Sequence, residues 1–204
     1  MLEISGAFLL GAIGWTLVEY MLHRFVFHGR SARGPGAKEH RRHHAQADYF
    51  APARQKAAAA VVAIAIVLPL SSAFVGVASG AAFTLGFVAM YILYEILHRR
   101  AHTHPPRNRY GRWRRKNHFA HHFADPRLAQ GVTTPFWDSV FGTRLRVERV
   151  RVPRRLAMRW LLDSSGEILD AYTADYFLVG ARSGDETTRR SDTESAMANE
   201  KPRN

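Results

Sequence analysis

The 204-residue chain contains no cysteine, which excludes disulfides, thiolate zinc sites, cysteine-ligated iron–sulfur clusters and a cysteine nucleophile. Acidic residues are scarce, 17 Asp and Glu against 29 Lys and Arg. That balance suits anionic lipid, nucleic acid or the cytoplasmic side of a membrane, and hydropathy must choose among them. Charge is nearly missing from residues 57–97, where Glu95 is alone among 41 positions. Histidine is missing from everything after His122, although eleven stand before that point. The length has room for one domain rather than two.

A membrane-crossing helix needs about 20 apolar residues, so residues 57–97 hold two spans in succession. Their break is expected at Pro69-Leu70-Ser71-Ser72 or at Ala78-Ser79-Gly80, where helix breakers gather. The run from Ile4 to Met21, charged only at Glu19, supplies a third span. It lacks the basic start and small-residue cleavage site of a removed signal peptide. The alternative, core helices of a soluble domain, fails because no such domain of this size covers that much apolar surface. The expected fold class is therefore all-α, an integral membrane helical bundle with about three transmembrane helices. Basic residues crowd two segments, one with Arg30, Arg41 and Arg42, the other with Arg99, Arg100, Arg107, Arg109, Arg112 and Arg114-Arg115-Lys116. The positive-inside rule makes both cytoplasmic, with the N-terminus outside and a cytoplasmic helical cap carrying the histidines.

Those two segments hold every histidine in a doubled pattern: a pair followed by an HxxHH triplet. The first set is His23 and His28, then His40, His43 and His44; the second is His98 and His102, then His118, His121 and His122. On a helix, positions i, i+3 and i+4 share a face, so each triplet is expected to aim three imidazoles at one point. His23 and His28 are five apart and out of phase on an ideal helix, so that helix is expected to end or distort before His28. His104 breaks the repeat, precedes Pro105-Pro106, and is left outside the cage. Neutral imidazole binds iron or zinc well, and ten suit two metals with four or five ligands each plus room for an oxygen species. A single zinc needs only three or four.

These residues resemble the fatty acid hydroxylase and sterol desaturase superfamily. The resemblance rests on Glu19-Tyr-Met-Leu-His23 through His28, Tyr94-Glu-Ile-Leu-His98, Asn117-His118-Phe-Ala-His121-His122, and Gly131-Val-Thr-Thr-Pro-Phe-Trp-Asp138-Ser-Val-Phe-Gly-Thr143. It implies a membrane enzyme with two iron ions, zinc being acceptable to the same nitrogens, and O2 as co-substrate, that hydroxylates or desaturates a lipid. The implied ligands are His23, His28, His40, His43, His44, His98, His102, His118, His121 and His122. Carotenoid hydroxylases and lipid desaturases use similar boxes and remain alternatives, as does a non-catalytic metal-binding or metal-transporting membrane protein. Family members commonly have four spans against three here. No fused cytochrome b5 segment is visible, so a separate ferredoxin, cytochrome or reductase is expected to donate electrons.

Glu19 and Glu95 sit one turn before His23 and His98, and each is expected to accept a hydrogen bond from a liganding imidazole; pairing with a nearby arginine is the bland alternative. Asp138 is expected to brace the segment beneath the site. Arg112-Trp113-Arg114-Arg115-Lys116 mixes basic and aromatic residues as single-strand binders do, but beside apolar spans anionic lipid is the simpler partner, and nucleic acid is not expected. The chain divides into a membrane-embedded hydroxylase-like domain, 1–145, a basic membrane-surface segment, 146–182, and a polar tail, 183–204, expected to be disordered. Residues 172–179 read equally as strand or helix.

Overall fold

A computed structural model describes residues 1–29 and 31–181. Arg30 and the expected disordered tail, 183–204, lie outside the described residues. Helix α1 (Leu2–Met21) continues as a π-helical stretch, Leu22–Phe27, and is followed by α2 (Pro35–Ala45). A hairpin of α3 (Ala53–Val75) and α4 (Val77–Thr103) comes next, then α5 (Arg109–Phe123) and the short α6 (Phe136–Val140). Strands β1 (Val150–Pro153) and β2 (Tyr176–Val179) pair in parallel, Val150 opposite Tyr176, and three 3-10 turns complete the described residues.

Among the described residues, three helices are long and apolar enough to cross a membrane: Leu2–Phe27, Ala53–Val75 and Val77–Thr103. Their outward side chains, such as Leu9, Leu10, Ile13, Val61, Val62 and Leu85, are exposed in the isolated chain, as acyl-chain contact requires. The hairpin breaks at neither expected motif. Helix α3 runs through Pro69, and the chain reverses at Gly76, whose φ of 80° lies in the left-handed region that glycine enters without penalty. Gly80 packs instead of breaking: a Cβ there would strike the Ser72 backbone across the hairpin.

Helices α1 and α4 run side by side in the same direction. Gly11 faces the Phe83 carbonyl and Gly86 faces the Phe8 carbonyl, so closely that neither glycine can carry a side chain. Further along, Trp15 nests among Phe87, Tyr91 and Tyr94, at 5.3, 4.8 and 5.8 Å between ring centres. The two C-terminal ends, bearing His23 and His98, therefore arrive together.

Beyond the spans, α5 carries a small core. Val150, Val152, Met158, Leu161 and Tyr176 pack with Ala101, Phe119 and Ala120. The ambiguous 172–179 stretch is both a turn, Asp170–Tyr172, and a strand. The basic run in α5 proves largely internal. Arg114 donates to the Leu97 carbonyl, and Arg115 to those of Arg100 and His104, which ties α5 to the last turns of α4. Arg112 and Lys116 pair with Asp175.

The close α1–α4 approach makes a sharp prediction. Gly86→Leu should destabilise the detergent-solubilised protein by about 1–3 kcal/mol, as overpacking does, whereas Gly6→Leu, with nothing within 4 Å of its added Cβ, should not. Thermal unfolding followed by circular dichroism checks both.

Candidate metal centre

Ten histidines converge as two groups of five. His23, His28, His40, His44 and His121 form one, and His43, His98, His102, His118 and His122 the other; within each group the candidate ligand atoms all lie within 4.8 Å of one another. His104 belongs to neither, and its ring meets Thr103 at the exposed end of α4.

Local backbone geometry explains the sorting. Residues five apart on an α-helix diverge, but in the π-helical stretch His28 N–H bonds to the His23 carbonyl, and the wider turn brings both rings into one group. The expected distortion is thus a π-turn between the two ligand positions. His98 and His102, four apart on regular α4, share the other group. The triplets, however, do not aim at one point. On α2, His40 and His44 join the first group while His43 joins the second; on α5, His118 and His122 join the second while His121 joins the first. Successive helical residues diverge by about 100°, so i+3 and i+4 face different centres when a helix lies across both. Each half of the chain gives four rings to one group and lends one to the other.

Three rings are oriented from behind by main-chain carbonyls: His23 Nδ1 by Gln130 O, His121 Nδ1 by Leu128 O at 2.8 Å, and His43 Nδ1 by Tyr49 O at 2.7 Å. Between Leu128 and Gln130 stands Ala129, buried, with φ 53°. This left-handed residue turns the chain so that the carbonyls on both sides of it serve the same group, at a strain of about 1–3 kcal/mol.

A neutral imidazole that donates through Nδ1 presents a lone pair at Nε2. In the first group the Nε2 of His40 faces those of His23, His28 and His44 at 3.1, 2.8 and 3.0 Å, and His121 faces His28 and His44 at 3.0 and 3.2 Å. One hydrogen cannot serve several acceptors, so lone pairs converge without hydrogens to separate them. His122 has no hydrogen-bond partner for either ring nitrogen among the described residues. A cation resolves both facts: nitrogens about 2.1 Å from one ion at right angles stand about 3.0 Å apart. The donor set therefore fits two metal ions, one per group.

Electrostatics favour the same conclusion. Burial, then neighbouring imidazoles, holds His44 down to about 2. Burial alone takes His28 down to about 4; for His43, also held to about 4, burial outweighs the Tyr49 carbonyl. Burial likewise keeps His40, His118, His121 and His122 well below the ordinary value. Uncharged rings are what a metal requires.

Glu19 and Glu95 behave differently from the sequence expectation. Glu19 touches no imidazole; it accepts from Val132 N at 2.6 Å and from the Thr133 N–H and hydroxyl. Glu95 pairs with Lys56, a lysine where an arginine was the alternative. Asp138 accepts from Gln130 N at 2.8 Å, Gly131 N at 2.9 Å and the Thr143 hydroxyl. Glu19 and Asp138 thus hold the 130–133 loop whose Gln130 carbonyl orients His23. Leu128, Gln130 and Tyr49 escape sequence reading because they act through carbonyls, which side-chain identity does not reveal.

The fatty acid hydroxylase family profile matches residues 8–143. The ceramide very long chain fatty acid hydroxylase scs7 of Schizosaccharomyces pombe is 33% identical over 150 residues, covering 67% of this chain and 41% of its own. The dihydroceramide fatty acyl 2-hydroxylase FAH2 of Arabidopsis thaliana is 29% identical, covering 65% and 58%. The fatty acid 2-hydroxylase of Rattus norvegicus is 30% identical, covering 70% and 40%. Full-length scs7p, a solved structure in which only the hydroxylase domain is visible, superposes with a TM-score of 0.58 at 28% identity, over 71% of this chain and 57% of that one. The chain thus spans about half the length of the relatives it matches.

Two predictions follow from this geometry. Because the folded rings titrate below the ordinary 6.5, the unfolded chain binds more protons in the interval between, and stability falls as pH drops. Chelator-treated protein should keep a flat melting temperature above pH 6.5 and lose stability down to about pH 4, each ring contributing up to about 1.4 kcal/mol per pH unit. Separately, Asp138→Asn should weaken metal retention about 10–100-fold, while Glu95→Gln should leave it unchanged, as elemental analysis after dialysis against a graded chelator series will read.

Proposed function

This chain belongs to the fatty acid hydroxylase family, and on that premise we propose that it is a membrane-bound di-iron oxygenase that hydroxylates the acyl chain of a lipid with O2. The observation that carries this reading is the pair of five-imidazole groups beside a cleft that opens among apolar helices. His23, His28, His40, His44 and His121 would hold one iron, and His43, His98, His102, His118 and His122 the other. When bound, the irons supply the activation of dioxygen and attack on an unactivated C–H bond.

The chain's own residues supply the rest. A cleft of about 210 Å³ is lined by Trp15, Leu22, Phe27, Phe50, Tyr91 and Tyr94, and its inner wall includes His40 from one group and His43 and His98 from the other. An acyl chain there displaces water and lies against both groups at once. Glu39, Gln55 and the Lys56–Glu95 pair line the same cleft and offer hydrogen bonds to the polar end of the lipid. The names of the relatives, acyl 2-hydroxylases of fatty acid, ceramide and dihydroceramide, support an amide-linked or free acyl chain as substrate and C2 as the position attacked.

The two electrons that O2 chemistry of this class consumes come from a separate ferredoxin, cytochrome or reductase. The histidine end faces the cytoplasm and the N-terminus lies outside; the basic residues around the histidines and the uncharged hairpin at Gly76 support that orientation. Residues 1–145 form the membrane-embedded hydroxylase domain, and 146–182 a basic segment whose exposed Arg151, Arg155 and Arg159 meet anionic head groups. A metal carrier would need metal-binding side chains through the middle of its spans, where Ala, Val, Ile, Leu, Phe and Gly predominate here and no His, Asp or Glu stands.

The test is metal stoichiometry joined to lipid analysis. Detergent-purified protein should hold about two irons per chain, and the His121→Ala, His122→Ala double variant, which removes one ring from each group, should lose most of both. Cells expressing the native chain should accumulate 2-hydroxy acyl lipids that the double variant does not produce. Metal content indifferent to the double substitution would sink the reading, and bound iron without new hydroxylated lipid would remove the enzymatic part of it.

A further inference from the structure

Helix α6 buries its one charged residue, Asp138, and exposes its large apolar ones. Asp138 is turned inward to the 130–131 backbone, while Phe136 and Val140 are 57% and 55% exposed and Phe141, just past the helix, is 40% exposed. In water this would be an unfavourable arrangement for three large apolar groups in six residues.

The position of α6 along α1 gives the reason. Trp137 Nε1 donates to Thr16 Oγ1 at 2.9 Å, and the Phe141 ring stacks on Tyr20 at 5.2 Å. Thr16 is seven residues before His23, about 10 Å along the helix axis. Counted from Leu2, it lies about 21 Å into a hydrocarbon layer of about 30 Å. The tip of α6 is therefore several Å below the boundary at which the histidines emerge. Its exposed face continues the lipid-facing surface of α1 formed by Leu9, Leu10 and Ile13, and is flanked by exposed Phe25 and Val26 on the π-helical stretch. Basic groups collar its upper edge: Arg24 donates to Tyr20 Oη at 2.8 Å and covers the Phe25 ring, and Arg144 reaches Ser139. An apolar tip under a basic collar is the chemistry of a segment dipping into a bilayer through its head-group layer.

We infer that residues 136–141 form a non-spanning wedge inserted among the acyl chains of the leaflet that holds the histidine end. The occupant of its apolar face is lipid. Through Asp138, Gln130 and the His23 imidazole, the wedge is joined to the first histidine group, so its depth in the bilayer fixes the loop behind that group. The inference stands on the three spans alone and holds whether or not the centre is catalytic.

The absence of native cysteine makes the test direct. Val140→Cys and, as a second position on the same face, Phe136→Cys are labelled with a nitroxide in the full chain, reconstituted into phosphatidylcholine–phosphatidylglycerol nanodiscs. Power-saturation spectroscopy then compares collisions with oxygen, which concentrates in acyl chains, against a water-soluble nickel chelate. Leu10→Cys is the lipid reference and Ser164→Cys the water reference. Both wedge positions should match Leu10→Cys, with an oxygen-to-nickel ratio several-fold above that of Ser164→Cys. Nickel accessibility at either position would overturn the wedge, and protection from both reagents with spin–spin broadening would overturn it in favour of a second copy covering the face.

Discussion

Several imidazole nitrogens can converge within about 3 Å of one another only while the rings are uncharged and something positive lies among the lone pairs, and most of this chain is arranged around that condition. Among the described residues no carboxylate hydrogen-bonds to the rings, so neutrality comes from burial, and the groups behind them are main-chain carbonyls rather than acids. The acids act one layer further out. Glu19 and Asp138 fasten the 130–133 loop by its N–H groups, leaving that loop's carbonyls free to turn inward. The arginines of α5 complete the arrangement from the other side by donating to carbonyls in the last turns of α4, which bears two of the rings.

Much of this was legible in the sequence, and the remainder was illegible for identifiable reasons. The three spans, the helical class and the nearness of the two histidine segments follow from apolar length and from repeated spacing, both one-dimensional quantities. The sorting of His43 away from His40 and His44 does not, because it depends on where α2 lies relative to both centres. The hairpin turn was misjudged because proline and serine are tolerated inside a lipid-facing helix, where only the left-handed backbone at Gly76 forces reversal. Glu95 looked equivalent to Glu19 by spacing, yet a lysine 39 residues away claims it.

Pairs of basic residues misled in a similar way. Read along the chain, Arg114-Arg115 is a surface charge run; in the fold both side chains are buried and donate to main-chain carbonyls in the last turns of α4 and just beyond it. The small parallel pair of strands after α6 serves the same end of the molecule, placing Tyr176 and Leu161 against Phe119 between two liganding positions of α5.

The crossed donation of rings by α2 and α5 has a thermodynamic consequence. Each helix serves both groups, so the conformational entropy lost in fixing it is lost once, when either group first closes around an ion. The second group is then met already ordered, and occupancy of one raises the affinity of the other by whatever ordering it has spared. Partly loaded molecules should be scarce at equilibrium, which makes the two centres a single cooperative unit in assembly although they share no ligand.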